Sequence, residues 1–130
     1  MSFNLPDDLL YSKEHEWVKI EGNIYTMGIT DFAQHQLTDI VFVELPEVGR
    51  EIEKDESFTT VESVKSVSDI FAPLSGKIVE VNLEVEDAPE LINSSPYEDG
   101  WICKVELSDK TEIDSLLSLK EYEDFISDEE

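Results

Sequence analysis

Short runs of alternating apolar and polar residues dominate the chain, each closed within a few positions by Gly, Pro, Asn or Asp. After a lead-in through Asp8, "EWVKIEGNIYTMGI" reads as a β-hairpin. Trp17, Val18 and Ile20 precede a Gly22-Asn23 turn, and Ile24, Tyr25, Met27 and Ile29 follow it. In "TDFAQHQL" the period changes: Thr30 is placed to cap a two-turn helix with Phe32, Ala33, Gln36 and Leu37 on one face. The β-branched and aromatic residues of "DIVFVELP" predict a strand between Asp39 and Pro46, and "EVGREI" turns at Gly49. Two further strand patterns, "SFTTVES" (57–63) and "VSDIFAP" (67–73), flank Val64, Lys65 and Ser66 at hairpin spacing. "PLSGKIVEVNLEV" repeats the design, with a turn at Ser75-Gly76 and then strand positions Ile78, Val81, Leu83 and Val85.

"DAPELINSSPYEDGW" is loop by composition with one helical turn at Pro89–Asn93, and "WICKVEL" is a last strand. The apolar spacing then lengthens to three and four, through Ile113, Leu116 and Leu117 and again through Tyr122, Phe125 and Ile126. Ser118 followed by Glu121 matches a capping box, so a second helix starts there. The closing "SDEE" puts negative charge at a helix C-terminus, where the macrodipole disfavours it, and the end frays. Many short strands with a helical tail predict a mainly β fold, a sandwich or flattened barrel. At 130 residues the chain predicts a single domain over 1–130, with a core over about 9–107 and a helical tail over about 110–127.

Charge narrows the partners. Thirty-two Asp plus Glu against nine Lys plus Arg give a formal net charge of −23. Such a field repels phosphate backbones and anionic lipid surfaces, which argues against nucleic-acid and membrane partners and for proteins with basic docking faces. No apolar run approaches a bilayer span, and "MSFNLPDDLLYSKEHE" has neither a basic-then-apolar nor an Arg-rich leader, so a cytoplasmic location is expected. Cys103 is the only cysteine, which excludes an internal disulfide and a Cys-based zinc or iron–sulfur site within one chain. Its apolar setting predicts a small buried hydrophobe. His15 and His35 are the only histidines; His15 is expected to be an ordinary polar side chain at the surface, and no metal site is predicted.

Lys65 stands out because cations are scarce and because of where it lies. A rigid hairpin tip presents it, small or uncharged Val64 and Ser66 flank it, and Glu62 and Asp69 stand off on either side. Stiff presentation with little steric cover suits a lysine that an enzyme is to modify. By contrast, the chain has no G-x-S-x-G elbow, no H-E-x-x-H and no Gly-rich phosphate loop. It reads as a carrier, not an enzyme.

The segments "YSKEHEWV", "GITDFAQ", "DIVFVELPEVG", "VESVKSVSDIFAPLSG", "VEVN" and "PELINSSPYEDGW" resemble, in order and spacing, the H proteins of the glycine cleavage system, from about Leu9 to Phe125. The resemblance implies a barrel-sandwich hybrid, the lipoyl-domain fold, with short helices and a C-terminal helical extension. It implies that Lys65 carries lipoate in amide linkage, with Glu62, Ser63, Val64 and Ser66 as its recognition flank. It also implies a non-catalytic shuttle that takes the aminomethyl group of glycine from a pyridoxal-phosphate glycine decarboxylase to an aminomethyltransferase, then presents its dithiol to dihydrolipoamide dehydrogenase. Lipoate-attaching enzymes would be further partners. Resemblance and position single out Glu16 and Asp69 as counter-charges for the ammonium of a loaded arm folded into a cleft. An alternative within the same resemblance is an H-like chain that donates or relays lipoate to other lipoyl proteins. The neighbours Val64 and Ser66 differ from the Met-Lys-Met triplet of biotinyl domains. One departure stands out: Thr38 lies where such proteins usually have Gly, so a positive φ there would strain a β-branched residue.

Overall fold

The computed structural model describes residues 3–128. Its strands are β1 (Leu10–Tyr11), β2 (Glu16–Glu21), β3 (Ile24–Ile29), β4 (Ile40–Val43), β5 (Glu51–Ile52), β6 (Ser57–Ser63), β7 (Val67–Phe71), β8 (Gly76–Val81) and β9 (Cys103–Leu107). One sheet runs β1-β2-β3-β9-β8-β5 and the other β4-β6-β7, and all pairings are antiparallel. The mainly β, two-sheet expectation is met. Alternation along each strand sends one set of side chains inward: Val18, Met27, Ile78 and Val105 from the first sheet meet Val43, Val61 and Ile70 from the second in one buried cluster.

The predicted hairpin forms β2 and β3, in register from Glu16↔Ile29 to Glu21↔Ile24, with Gly22 at φ +66 closing the two-residue turn. Opposite Trp17 sits Gly28, where a Cβ would lie 2.8 Å from the indole Nε1; only glycine leaves room for that ring. The indole N–H donates to the Pro96 carbonyl at 2.9 Å, anchoring the loop before β9.

Helix α1 (Asp31–Leu37) starts as predicted, the Thr30 hydroxyl accepting from the Ala33 amide at 3.1 Å. Its buried polar residue is Gln34, not Gln36, because Asn93 and Asp31 both bond the Gln34 amide group. Two short helices follow β8: α2 (Glu84–Asp87) and α3 (Leu91–Ser94). The strand expected to continue through Leu83 and Val85 therefore stops at Val81. Buried Asn82 turns the chain, donating to the carbonyls of Asp99 and Trp101 at 2.8 Å and accepting from the Glu84 amide at 3.2 Å. Leu83 is left exposed and Val85 is buried from a helix.

After a 3-10 turn (Lys110–Ser115), helix α4 (Leu119–Ser127) begins at the predicted capping box: the Ser118 hydroxyl accepts from the Glu121 amide and the Glu121 carboxylate from the Ser118 amide. Asp128 caps its far end, and the last two residues of "SDEE", for which fraying is expected, lie outside the described residues. Tyr122 and Ile126 of α4 pack with Leu9, Tyr11, Trp17 and Phe32 in a second cluster, with Tyr11 and Tyr122 stacked at 4.7 Å.

Candidate functional site: the Lys65 hairpin and its cleft

Strands β6 and β7 pair from Ser57↔Phe71 to Glu62↔Val67 and hold Lys65 exposed at their tip. Neither Val64 nor Lys65 takes a positive φ, so the turn does without the Gly or Asn that tight hairpins usually need. Ser63 supplies the missing bonds. Its hydroxyl, in a residue only 5% exposed, accepts from the amides of Lys65 at 3.1 Å and Ser66 at 3.0 Å, and its own amide donates to the Ser66 carbonyl at 2.8 Å. The Val64 amide donates to the Asp39 carbonyl at 3.0 Å, which ties the tip to the start of β4.

The Lys65 ammonium donates at 3.3 Å to the Gln36 carbonyl, in the last turn of α1. Helix α1 ends there because Thr38 takes φ +66 and ψ −150, the positive φ anticipated from its departure from glycine. Asn93 holds this end. Its amide group donates to the Thr38 carbonyl and to Gln34, and its oxygen accepts from the Ile40 amide, each at 2.9 Å.

Gln36 also lines a narrow cleft of about 100 Å3 between α1 and the hairpin, so the lysine and the cleft meet at one residue. Ile29, Leu37, Val61 and Ile70 give it apolar walls, and both Glu16 and Asp69 line it. The two carboxyl groups foreseen from resemblance thus share one cavity, in unlike settings. Asp69 is exposed, and among the described residues its carboxylate makes no hydrogen bond or ion pair. Glu16 is 1% exposed, accepts from the Ser12 hydroxyl at 2.5 Å and from the Phe71 amide at 3.3 Å, and is pushed up to about 7 by burial. Near neutrality it is poised between the acid and the carboxylate.

Ser12 and Gln36 escaped the sequence reading as parts of this site, and Ser63 entered it only as recognition flank, not as the brace of the turn. Their contributions are a backbone carbonyl and two hydroxyls, which leave no pattern in a chain with many serines. His15 is not the surface side chain expected of it. It is half-buried at φ +71 among Phe32, Tyr122 and Phe125, with Nδ1 2.8 Å from the Tyr122 hydroxyl. No group of three or more potential metal ligands occurs among the described residues. A larger open groove of about 740 Å3, lined partly by Glu51, Lys54, Lys77 and Glu112, shares no residue with the hairpin.

The glycine cleavage H-protein family model matches residues 9–129. The chain belongs to that family. It is 60% identical over 126 residues to the glycine cleavage system H protein of Halalkalibacterium halodurans, covering 97% of this chain and 98% of that one. It is 61% identical over 122 residues to the H protein of Symbiobacterium thermophilum, covering 94% and 95% respectively. The crystal structure of the H protein from Mycobacterium marinum superposes with a TM-score of 0.82 at 41% identity, over 91% of this chain and 95% of that one. Family membership makes the two-sheet fold with its helical tail the expected one for an H protein.

Proposed function

We propose that this chain is the lipoyl carrier of a glycine cleavage system, one carrier unit over 1–130 with its core over about 9–107 and its tail over about 110–127, and that Lys65 is its attachment residue. The observation that carries the reading is the placement of an exposed lysine on a braced hairpin tip, its amine beside a narrow cleft that holds two carboxyl groups. These residues fit a lysine-linked lipoyl arm. The amine is open to an attaching enzyme, and the apolar walls of the cleft suit a hydrocarbon chain. When attached, lipoate supplies a reversible dithiol that carries the aminomethyl unit between the partners' active sites.

The chain's own residues do the rest. Ser63 and the Asp39 carbonyl keep the tip stiff, so the arm's root stays fixed while its end sweeps roughly 14 Å. Amide formation removes the Lys65 charge and leaves a single N–H on Nζ, so the bond to the Gln36 carbonyl loses its charge assistance and the hold of α1 on the side chain weakens. Glu16 and Asp69 then offer negative charge to a cationic cargo, in a cleft whose walls include Ile29, Val61 and Ile70. The partners are the glycine decarboxylase, the aminomethyltransferase, dihydrolipoamide dehydrogenase and the lipoate-attaching enzymes, all meeting the carrier in the cytoplasm. No helix among the described residues is long and apolar enough to cross a membrane.

Lys65→Arg keeps the charge and removes the acylable amine. The variant should gain no lipoyl mass on incubation with lipoate, ATP and a lipoate-attaching enzyme, and should support no glycine–carbon dioxide exchange by the decarboxylase. Lipoylation or exchange at the unsubstituted level would end this reading.

A further inference from the structure

Single exposed apolar side chains are ordinary, whereas several gathered on one face mark an interaction site. Seven are exposed among the described residues, and four of these, Val41, Phe42, Val64 and Val67, lie at the Lys65 end of the β4-β6-β7 sheet. The register explains why they share a face. Phe42 pairs with Glu62 and Glu62 with Val67, so the three side chains stand in one cross-strand row, pointing away from the core. Val61 and Val43, one position along, point inward and are 1% exposed. With two inter-strand gaps, the row is roughly 10 Å across. Phe42 is 50%, Val67 63% and Val64 68% exposed. Glu62, itself exposed, stands between Phe42 and Val67 in the row, and the exposed carboxylates of Asp39 and Asp69 and the Lys65 ammonium lie beside it.

We propose that this row, with Phe42 and Val67 on either side of Glu62, is the docking face for the enzyme that acylates Lys65, and that this enzyme meets it with apolar side chains around a Lys or Arg that reaches Glu62. The inference rests on the carrier reading above and commits to one of the carrier's several partners. Distance makes the choice. In the attachment step the deprotonated Lys65 amine attacks the acyl carbon of an acyl adenylate. The C–N bond forms, the bond from the acyl carbon to the phosphate oxygen breaks, AMP leaves with the electron pair, and the amine's surplus proton passes to solvent. The reacting carbon must therefore sit at the end of a lysine side chain, roughly 6 Å from the Lys65 Cα. An enzyme that close cannot avoid Val64 and Val67. Partners that act on the far end of the arm have more than twice that reach and can seat elsewhere. Charge supports the same occupant: a carboxylate between two apolar groups, with Asp39 and Asp69 beside it, selects a partner that brings a cation and repels an acidic one.

The test uses full-length unlipoylated protein carrying Phe42→Ser, Val67→Ser, or both, with Leu83→Ser as a control for an exposed apolar residue away from the hairpin. Thermal unfolding checks that each variant folds, and intact mass follows lipoyl transfer in the presence of ATP, lipoate and the attaching enzyme. The double variant should lose at least tenfold in kcat/KM for transfer, each single variant should lose less, and Leu83→Ser should match the unsubstituted protein. The double variant, driven to full lipoylation with excess enzyme, should support glycine–carbon dioxide exchange within threefold of normal. Transfer to the double variant within twofold of normal overturns the proposal, as does an exchange defect as large as the transfer defect. If the unsubstituted protein is acylated somewhere other than Lys65, the carrier reading itself fails, a result the mass of a tryptic peptide separates from the other two.

Discussion

Glu16 reaches the cleft as a carboxyl group that folding has made a weaker acid. Its partners are a hydroxyl and one amide, and among the described residues no cation forms an ion pair with it, so burial outweighs the hydrogen bonds and the group moves from 4.5 to about 7. A carboxyl weakened by folding binds its proton more tightly in the native state. Its contribution to stability is therefore full below about 4.5 and is lost as pH rises through about 7. At about 1.4 kcal/mol per pKa unit this amounts to about 3 kcal/mol. Glu16→Gln has no proton to lose. The unfolding free energy of the unsubstituted protein in urea should fall by that order relative to Glu16→Gln between pH 4.5 and 7, and stay level above; parallel curves would refute the burial argument. The same poise bears on cargo. An ammonium entering the cleft favours the carboxylate, so the loaded arm should be held better above pH 7 than below it. In Glu16→Gln the loaded form should decay several-fold faster at pH 8, followed by release of formaldehyde and ammonia. An unchanged decay would remove Glu16 from the site.

Among the elements, α1 does the most to shape the cleft, and it ends in a backbone conformation that disfavours its own residue. At φ +66 and ψ −150, Thr38 occupies a region that glycine alone enters freely. Asn93 holds it there from α3. Thr38→Gly should relieve strain of about 1–3 kcal/mol, offset in part by the greater freedom of glycine in the unfolded chain. A net gain of about 1 kcal/mol is expected, read as a higher urea midpoint with an unchanged slope. This site shows what the sequence makes legible. The α1 start was readable from Thr30 and Phe32, the α4 start from Ser118 and Glu121, and the lysine hairpin from two runs of alternating residues, because each signal lies within a few positions. Asn82 was not readable, since the groups that bend the chain there, Asp99 and Trp101, come from seventeen and nineteen residues later. Strands β1 and β5 are two residues each, too short to show a period. Glu16 and Asp69 were picked from 32 acidic residues through family likeness; composition and spacing alone do not distinguish them.

For the molecule as a whole, charge governs encounter. The net charge is −23, and among the described residues three of the nine Lys and Arg are further neutralised in ion pairs: Arg50 with Glu56, Lys54 with Asp55 and Lys120 with Asp124. The field outside is therefore negative and long-ranged at low salt, and it fades over a Debye length of about 8 Å at physiological ionic strength. The Michaelis constant for the lipoylated carrier in the decarboxylase reaction should rise at least about threefold between roughly 0.02 and 0.3 M salt, with kcat changing less. A salt-independent constant would take electrostatic steering out of the encounter.

The interior has a consequence of its own. Cys103 is fully enclosed on β9, and burial pushes its thiol up to about 12. Exchange with a disulfide needs a thiolate and an open line of approach. Cys103 has neither, so the body of this chain offers no thiolate to a disulfide. A lipoyl ring attached at Lys65, as proposed above, would not be trapped as a mixed disulfide on its own protein or on a neighbouring copy, and every electron pair it accepted or gave up would pass through a partner.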